Sequence, residues 1–224
     1  ILAHRQRALS PEHPVVRGTA QNPDVFFQAR EAANPFYERF PDRMQALMDG
    51  LAERTGRSYR LFEYHGHPEA DRVVVAMGSA SETLFETVDA LTHAGERVGA
   101  IKVRLFRPFS AAHLERCLPH TCRALAVLDR TREPGACGEP LFQDVACALL
   151  HRRSLQMCGG RYGLASKEFT PAMARAVFDH LSAEHPRERF TVGIKDDVSG
   201  LSLDYDPSFT LEEPESVRAV FWGL

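Results

Sequence analysis

Apolar and polar positions along the chain alternate between two periods. From Pro41, the apolar residues Met44, Leu47, Met48 and Leu51 fall at i, i+3, i+4 and i+7, which predicts an amphipathic helix with Pro41 in its first turn and Gly56 as its stop. Ser10 to Asp24 reads as a loop-rich approach to it, and Arg57 to Ala70 as a connector. Val73-Val74-Val75-Ala76-Met77 is then a short unbroken apolar run, the pattern of a strand buried on both faces. Val98–Val103, Ala124–Leu128, Leu155–Cys158 and Phe190–Ile194 read as the four further strands.

Between these runs lie helical stripes: Leu84, Val88 and Leu91, then Leu114 and Leu118, then Leu141, Val145 and Leu149, then Met173, Val177 and Leu181. Ser79 and Glu82 have capping-box spacing, Ser110 stands where a cap is needed, and Thr170-Pro171 places a cap before a first-turn proline. Strands alternating with helices of this length predict an α/β fold, a doubly wound and mainly parallel five-stranded sheet with a helical and loop-rich N-terminal flank. Asp196 to Pro214, polar and irregular, reads as a linker.

Composition narrows the function classes. The chain has 224 residues, 44% hydrophobic and 25% charged, which excludes a disordered or collagen-like chain. A net charge of −3 lacks the electrostatic footprint of a nucleic-acid binder, and no apolar stretch is long enough to span a membrane. Of 27 basic residues only Lys102, Lys167 and Lys195 are lysines. Five cysteines, without a C-x-x-C or a secretory signal, fit reduced thiols in the cytoplasm, with Cys137 the one expected to be exposed. Ile1 in place of a methionine, and the apolar Val220–Leu224, read as ends cut from a longer polypeptide.

The candidate chemistry is sparse. Gly78–Glu82 opens a helix after a strand and offers free N–H groups to an anion, but Glu82 would repel a phosphate, so ordinary capping is the better reading. Gly135–Gly138 is flanked by Glu133 and Glu139 and reads as a tight turn. Gly159–Lys167 combines backbone freedom, the Tyr162 ring and two cations, Arg161 and Lys167, which suits a phosphate, a partner carboxylate or an interdomain contact. His65 and His67 beside Glu63 lack a third ligand at metal spacing. There is no ferredoxin-type cysteine run and no G-x-S-x-G elbow. The residues alone therefore leave open a stand-alone binding module for a small molecule or nucleotide, with a pocket at the Gly78 or Gly135 turn.

Longer strings carry a resemblance. Arg7 to Gln28, Asn34-Pro35-Phe36-Tyr37, Ala76–Ser79, Ile101–Phe109, Val127–Gly135, Gly159–Pro171 and Thr191–Val198 together resemble the pyruvate:ferredoxin (flavodoxin) oxidoreductases, in order and over nearly the whole chain. The resemblance implies a large enzyme, usually a homodimer, that uses thiamine diphosphate with Mg2+, [4Fe-4S] clusters and coenzyme A. Such an enzyme converts pyruvate to acetyl-CoA and CO2 and passes electrons to ferredoxin or flavodoxin.

It further implies a division of this chain. Residues 1–60 resemble the tail of the thiamine pyrimidine-binding domain with a connector helix. Residues 61–195 resemble an α/β domain like the C-terminal domain of transketolase, and 196–224 a linker into the coenzyme A-binding domain. No family motif for a catalytic, cofactor-binding or cluster-ligating residue falls on a position here, so the segment is expected to be structural and inactive alone. Its expected partners are the remaining domains of the same polypeptide. Two loops are candidates for the active site or a domain interface: Arg17, Thr19 and Asn22 in the first, Arg161, Tyr162 and Lys167 in the second.

Overall fold

The computed structural model describes residues 1–224 except 15–17, 19, 213–216, 218, 221, 223 and 224. The chain divides into two compact units, Ile1–Phe40 and Pro41–Leu224. The first holds α1 (Leu2–Gln6), α2 (Pro23–Glu31) and the start of α3 (Asn34–Thr55). Its apolar side chains Val25, Phe26, Phe27, Phe36 and Tyr37 are exposed. Arg30 and Arg39 lie over the Phe26 and Phe36 rings, covering part of that apolar surface with their own stems.

The second unit is built on one sheet: β1 (Phe62–Gly66), β2 (Arg72–Met77), β3 (Val98–Val103), β4 (Ala124–Asp129), β5 (Gln156–Arg161), β6 (Arg189–Val192) and β7 (Ser202–Leu203). The order across it is β1-β3-β2-β4-β5-β6-β7, and every pairing is parallel except β1 with β3. Helices α4 (Ala80–His93), α5 (Ala111–Cys117), α6 (Pro140–Ala148) and α7 (Pro171–Leu181) connect successive parallel strands.

Alternate side chains of each strand feed opposite cores. Val74 and Ala76 join Leu84 and Val88 of α4 and Val177 and Phe178 of α7 in one cluster. Val73 and Val75 join Leu114 of α5 and Leu141 and Val145 of α6 in the other, against which Met44 and Met48 of α3 pack. This two-sided burial is why the strands lack polar alternation: each buried Val or Leu removes apolar surface worth roughly 1.5–3 kcal/mol from water.

The α/β class and the mainly parallel sheet stand as the pattern predicts, but the strand count does not: seven strands form where the apolar runs predict five. One addition, β1, lies in the supposed connector. Leu61 and Phe62 anchor it in the core, while Glu63 and His65 face outward and hide the strand from a search for apolar runs. The other, β7, lies in the supposed linker and is held by Thr191↔Ser202 and Val192↔Leu203. Likewise β5 runs on through Gly159, Gly160 and Arg161, residues that read as loop.

Two helix starts also differ. Helix α3 begins at Asn34, so Pro41 sits inside it and is buried. A proline there removes one helix hydrogen bond, a cost tolerated where packing holds the turn. The Ser79 side chain makes no cap bond to α4, and Glu82 is drawn away to pair with Lys102 of β3, so the capping-box spacing does not produce a capping box. By contrast Ser110 accepts from the His113 N–H and Thr170 from the Met173 N–H, as predicted. Among the described residues no helix is long and apolar enough to cross a membrane.

Candidate functional site at the carboxyl ends of the strands

Strand order fixes where a site can form. From β2 the chain leaves through α4, over one face, to β3; from β4 it leaves through α6, over the other face, to β5. The two neighbouring strands thus send their following loops apart, and the gap between their carboxyl ends is the topological switch point where open α/β sheets hold ligands. A cavity of about 230 Å³ lies there, lined by Ser79 and Ala80 after β2, Arg130 after β4, and Tyr162, Lys167 and Phe169 after β5.

The two glycine-bearing strings that the sequence presents separately, Gly78–Glu82 and Gly159–Lys167, therefore converge on one crevice. Glu82, the group expected to repel an anion, does not line it, because its carboxylate is paired with Lys102. The Arg130 Nε–H donates to the Gly163 carbonyl at 2.7 Å, which sets the guanidinium in place. Gly163 has φ +62, and a Cβ added there would stand 3.1 Å from Arg130 Nε and 3.2 Å from the Lys167 carbonyl oxygen. Ala165 and Ser166 follow with φ of 53° and 62°, so this short turn keeps left-handed backbone at non-glycine positions. Tyr162 is buried, its ring 4.8 Å from that of Phe169, and burial raises its phenol pKa, against which the Arg130 charge works.

A second cluster lies on the α6 side of the same strand ends. Asp129, the last residue of β4, is buried; its Oδ1 accepts from the Leu141 N–H at 2.9 Å and its Oδ2 from the Phe142 N–H at 3.1 Å. Those are first-turn donors of α6, so a strand-end carboxylate does the work of an N-cap side chain. Burial raises the Asp129 pKa, the two N–H bonds oppose the rise, and the Glu139 and Asp144 charges add to it. Glu139, which occupies the N-cap position of α6, makes no cap bond. Its buried carboxylate instead faces Arg132 at 3.1 Å and Arg161 at 3.6 Å. With side-chain exposures of 5% for Glu139 and 11% for Arg161, water cannot replace a lost partner. Arg161→Met is expected to cost roughly 3 kcal/mol, read as a lower urea midpoint, because it leaves the buried carboxylate with Arg132 alone.

The predicted loop residues divide accordingly. Arg161 serves the buried ion cluster, Tyr162 and Lys167 line the crevice, and Asn22 stands at the N-cap position of α2 without a side-chain cap bond. Arg17 and Thr19 lie outside the described residues. Asp129 and Arg130, which the sequence reading left without a role, and Glu139, which it read only as a charge flanking a turn, do more of the organising than the residues it singled out. Their signal was limited to a strand ending in a charged pair, Asp129-Arg130, ahead of a Glu-Pro helix start.

The remaining candidates sit elsewhere. His65 Nε2 pairs with Asp89 at 2.7 Å and its ring stacks on Phe85, while His67 Nδ1 accepts from the Glu69 N–H. Cys137 is exposed as expected, but so is Cys147. Cys122 and Cys158 point into opposite cores, and burial pushes the Cys117 and Cys122 thiols up to about 12 and Cys158 to about 11. Thiols so placed cannot converge as thiolates, and the described residues contain no group of three or more metal-type side chains.

Comparison with known proteins gives this architecture relatives. Residues 70–173, from just before β2 into α7, match the model described as pyruvate:ferredoxin oxidoreductase core domain II. The pyruvate-flavodoxin oxidoreductase of Trichormus variabilis is 57% identical over 228 residues, which cover 100% of this chain and 19% of that protein. The pyruvate:ferredoxin oxidoreductase of Moorella thermoacetica is 53% identical over 225 residues, again 100% of this chain and 19% of the other. A probable pyruvate-flavodoxin oxidoreductase of Escherichia coli is 53% identical over 229 residues, covering 99% and 19%. The chain thus spans about a fifth of the length of these relatives. Over residues 70–173 the chain is similar to the pyruvate:ferredoxin oxidoreductase core domain II family, and along its length it is similar to one segment of pyruvate-flavodoxin and pyruvate:ferredoxin oxidoreductases.

Proposed function

We propose that this chain supplies the domain II architecture of a thiamine diphosphate-dependent enzyme that converts pyruvate and coenzyme A to acetyl-CoA and CO2. The observation that carries this reading is identity above 50% along the chain to pyruvate oxidoreductases of which it spans 19%. In this reading the chain packs between cofactor-bearing domains of one polypeptide. Residues 1–60 continue a pyrimidine-binding domain, 61–195 form the α/β domain, and 196–224 lead toward a coenzyme A-binding domain. Thiamine diphosphate, Mg2+, [4Fe-4S] clusters and coenzyme A are held by those other domains. The holoenzyme is a cytoplasmic homodimer that delivers electrons to ferredoxin or flavodoxin. The loops carrying Arg17, Thr19 and Asn22, and Arg161, Tyr162 and Lys167, meet neighbouring domains.

This chain's own contribution is mechanical. Asp129 ties β4 to α6, and Glu139 ties the β4–α6 loop to Arg161 of β5, so the face that carries the strand-end loops is braced. A bracing segment should be interchangeable. Residues 1–224, put in place of the matching segment of the Trichormus variabilis enzyme, are expected to preserve pyruvate- and coenzyme A-dependent reduction of viologen dye. A folded chimera that carries the parent's cofactor complement and does not oxidise pyruvate would refute the assignment.

A further inference from the structure

The geometry points to the switch-point crevice as a phosphate-recognising subsite, a role that does not depend on the proposed architecture. Three strand ends deliver different parts of it. The β2 end supplies the Ser79 hydroxyl, which makes no cap bond, and the start of the 14-residue helix α4. The β4 end supplies Arg130, whose Nε is anchored on the Gly163 carbonyl while its terminal nitrogens make no hydrogen bond or ion pair among the described residues. The β5 end supplies Lys167, whose ammonium is likewise unpaired there.

Neither cation has a carboxylate partner among the described residues, whereas Lys102, Arg132 and Arg161 near the same strand ends each face an acid. Arg130 and Lys167 come from loops 37 positions apart in sequence and line the same cavity of about 230 Å³. The acids nearby are otherwise placed: Glu82 is engaged by Lys102, and Asp129 by the α6 N–H groups. Glu168 alone contributes a carboxylate to the lining, against the two cations. Anchoring Arg130 before any ligand arrives reduces the ordering cost of binding, and residues carrying a guanidinium, an ammonium and a hydroxyl around one crevice suit a tetrahedral oxyanion.

The crevice does not end at the phosphate position. Thr83, Lys167, Glu168 and Phe169 also line an adjoining cleft of about 1050 Å³, which Met173, Tyr205 and Phe209 make partly apolar and to which Glu82, Glu86 and Lys195 add charge of both signs, so an organic part with donor groups fits there better than a second phosphate. A ligand with a phosphate in the crevice therefore has room for an organic part alongside, the size and mixed lining typical of a small-molecule site.

The test is calorimetric titration of the 224-residue chain with inorganic phosphate, adenosine monophosphate and adenosine at fixed ionic strength. Backbone amide shifts at Ser79 and Ala80 locate the binding. Phosphate and adenosine monophosphate are expected to bind saturably, and adenosine not. A nucleotide that binds at least about tenfold tighter than phosphate places a phosphate ester here with its organic part in the cleft. Equal affinities assign the crevice to free phosphate. Lys167→Gln and Arg130→Gln are each expected to weaken binding by about tenfold, the effect of losing one charged hydrogen-bonding group. Lys167 is exposed and makes no side-chain contact that the fold needs, so its variant keeps the test sound if Arg130→Gln fails to fold. Absence of saturable binding by either phosphate compound, or binding unchanged in folded Lys167→Gln, would overturn the assignment.

Discussion

Gly160→Ala is expected to cost about 3 kcal/mol or more of folding stability, at the upper end of what overpacking a core does. Gly160 lies in β5 beneath the ring of Phe190, and a Cβ there would sit 2.4 Å from Phe190 Cζ and 2.6 Å from Leu128 Cδ2. Neither neighbour has room to yield: Phe190 is 0% exposed and Leu128 1%, both inside the cluster beneath α4 and α7. Relief would require β5 to move away from β4 or β6, at the expense of ladder bonds on both sides. Urea unfolding of the chain is the measurement, with Gly50→Ala as the control. Gly50 is a helical position in α3 with open space where its Cβ would be, so that variant should be neutral or gain up to about 1 kcal/mol. Equal midpoints for Gly160→Ala and the parent would show that the sheet packs differently.

Asp129→Ala should cost about 2–4 kcal/mol by a different route. It takes the acceptors from the Leu141 and Phe142 N–H groups at the start of α6, and such unpaired donors cost roughly 1–3 kcal/mol each. Asp129→Asn separates charge from hydrogen bonding. Its single carbonyl can serve one N–H, while its amide opposes the other, so it should fall between Ala and the parent.

Stability against pH gives the sign of the charge effect. The folded-state pKa of Asp129 is raised, chiefly by burial and further by Glu139 and Asp144. A raised carboxylate binds its proton more tightly in the folded chain. Its contribution is therefore complete below the ordinary aspartate range and declines as pH rises through the raised value. Asp197 and Asp206, with pKa values lowered by nearby Ser199 and Ser208, pull the other way. The readout is thus the parent's stability minus that of Asp129→Asn, which should fall with rising pH above the usual aspartate range. A difference that rises with pH would mean that the carboxylate is stabilised by its surroundings rather than strained by them.

How much of this was visible in the sequence follows from what each feature is made of. Val73–Met77, Val98–Val103 and Ala124–Asp129 could be read because both their faces are largely buried, which leaves a mostly apolar run. Strand β1 could not, because Glu63 pairs with Arg104 and His65 with Asp89 on exposed surfaces, and its antiparallel pairing with β3 is a tertiary fact. Ser110 and Thr170 were legible caps because their partners lie three residues away. Asp129 was not, since its partners lie 12 and 13 residues on. The spacing of Ser79 and Glu82 misleads because Lys102, 20 residues beyond Glu82, offers that carboxylate a better partner than a helix N–H. The crevice needs most: only with β4 beside β2 do Ser79, Arg130 and Lys167 share a cavity.

The claim beneath the functional reading is that this chain braces chemistry carried out by groups it does not contain. Pyruvate-dependent viologen reduction by the isolated 224-residue chain, supplied with thiamine diphosphate, Mg2+ and coenzyme A under anaerobic conditions, tests it most directly. The rate is expected to equal that of the protein-free mixture; turnover that scales with the concentration of the chain would contradict it.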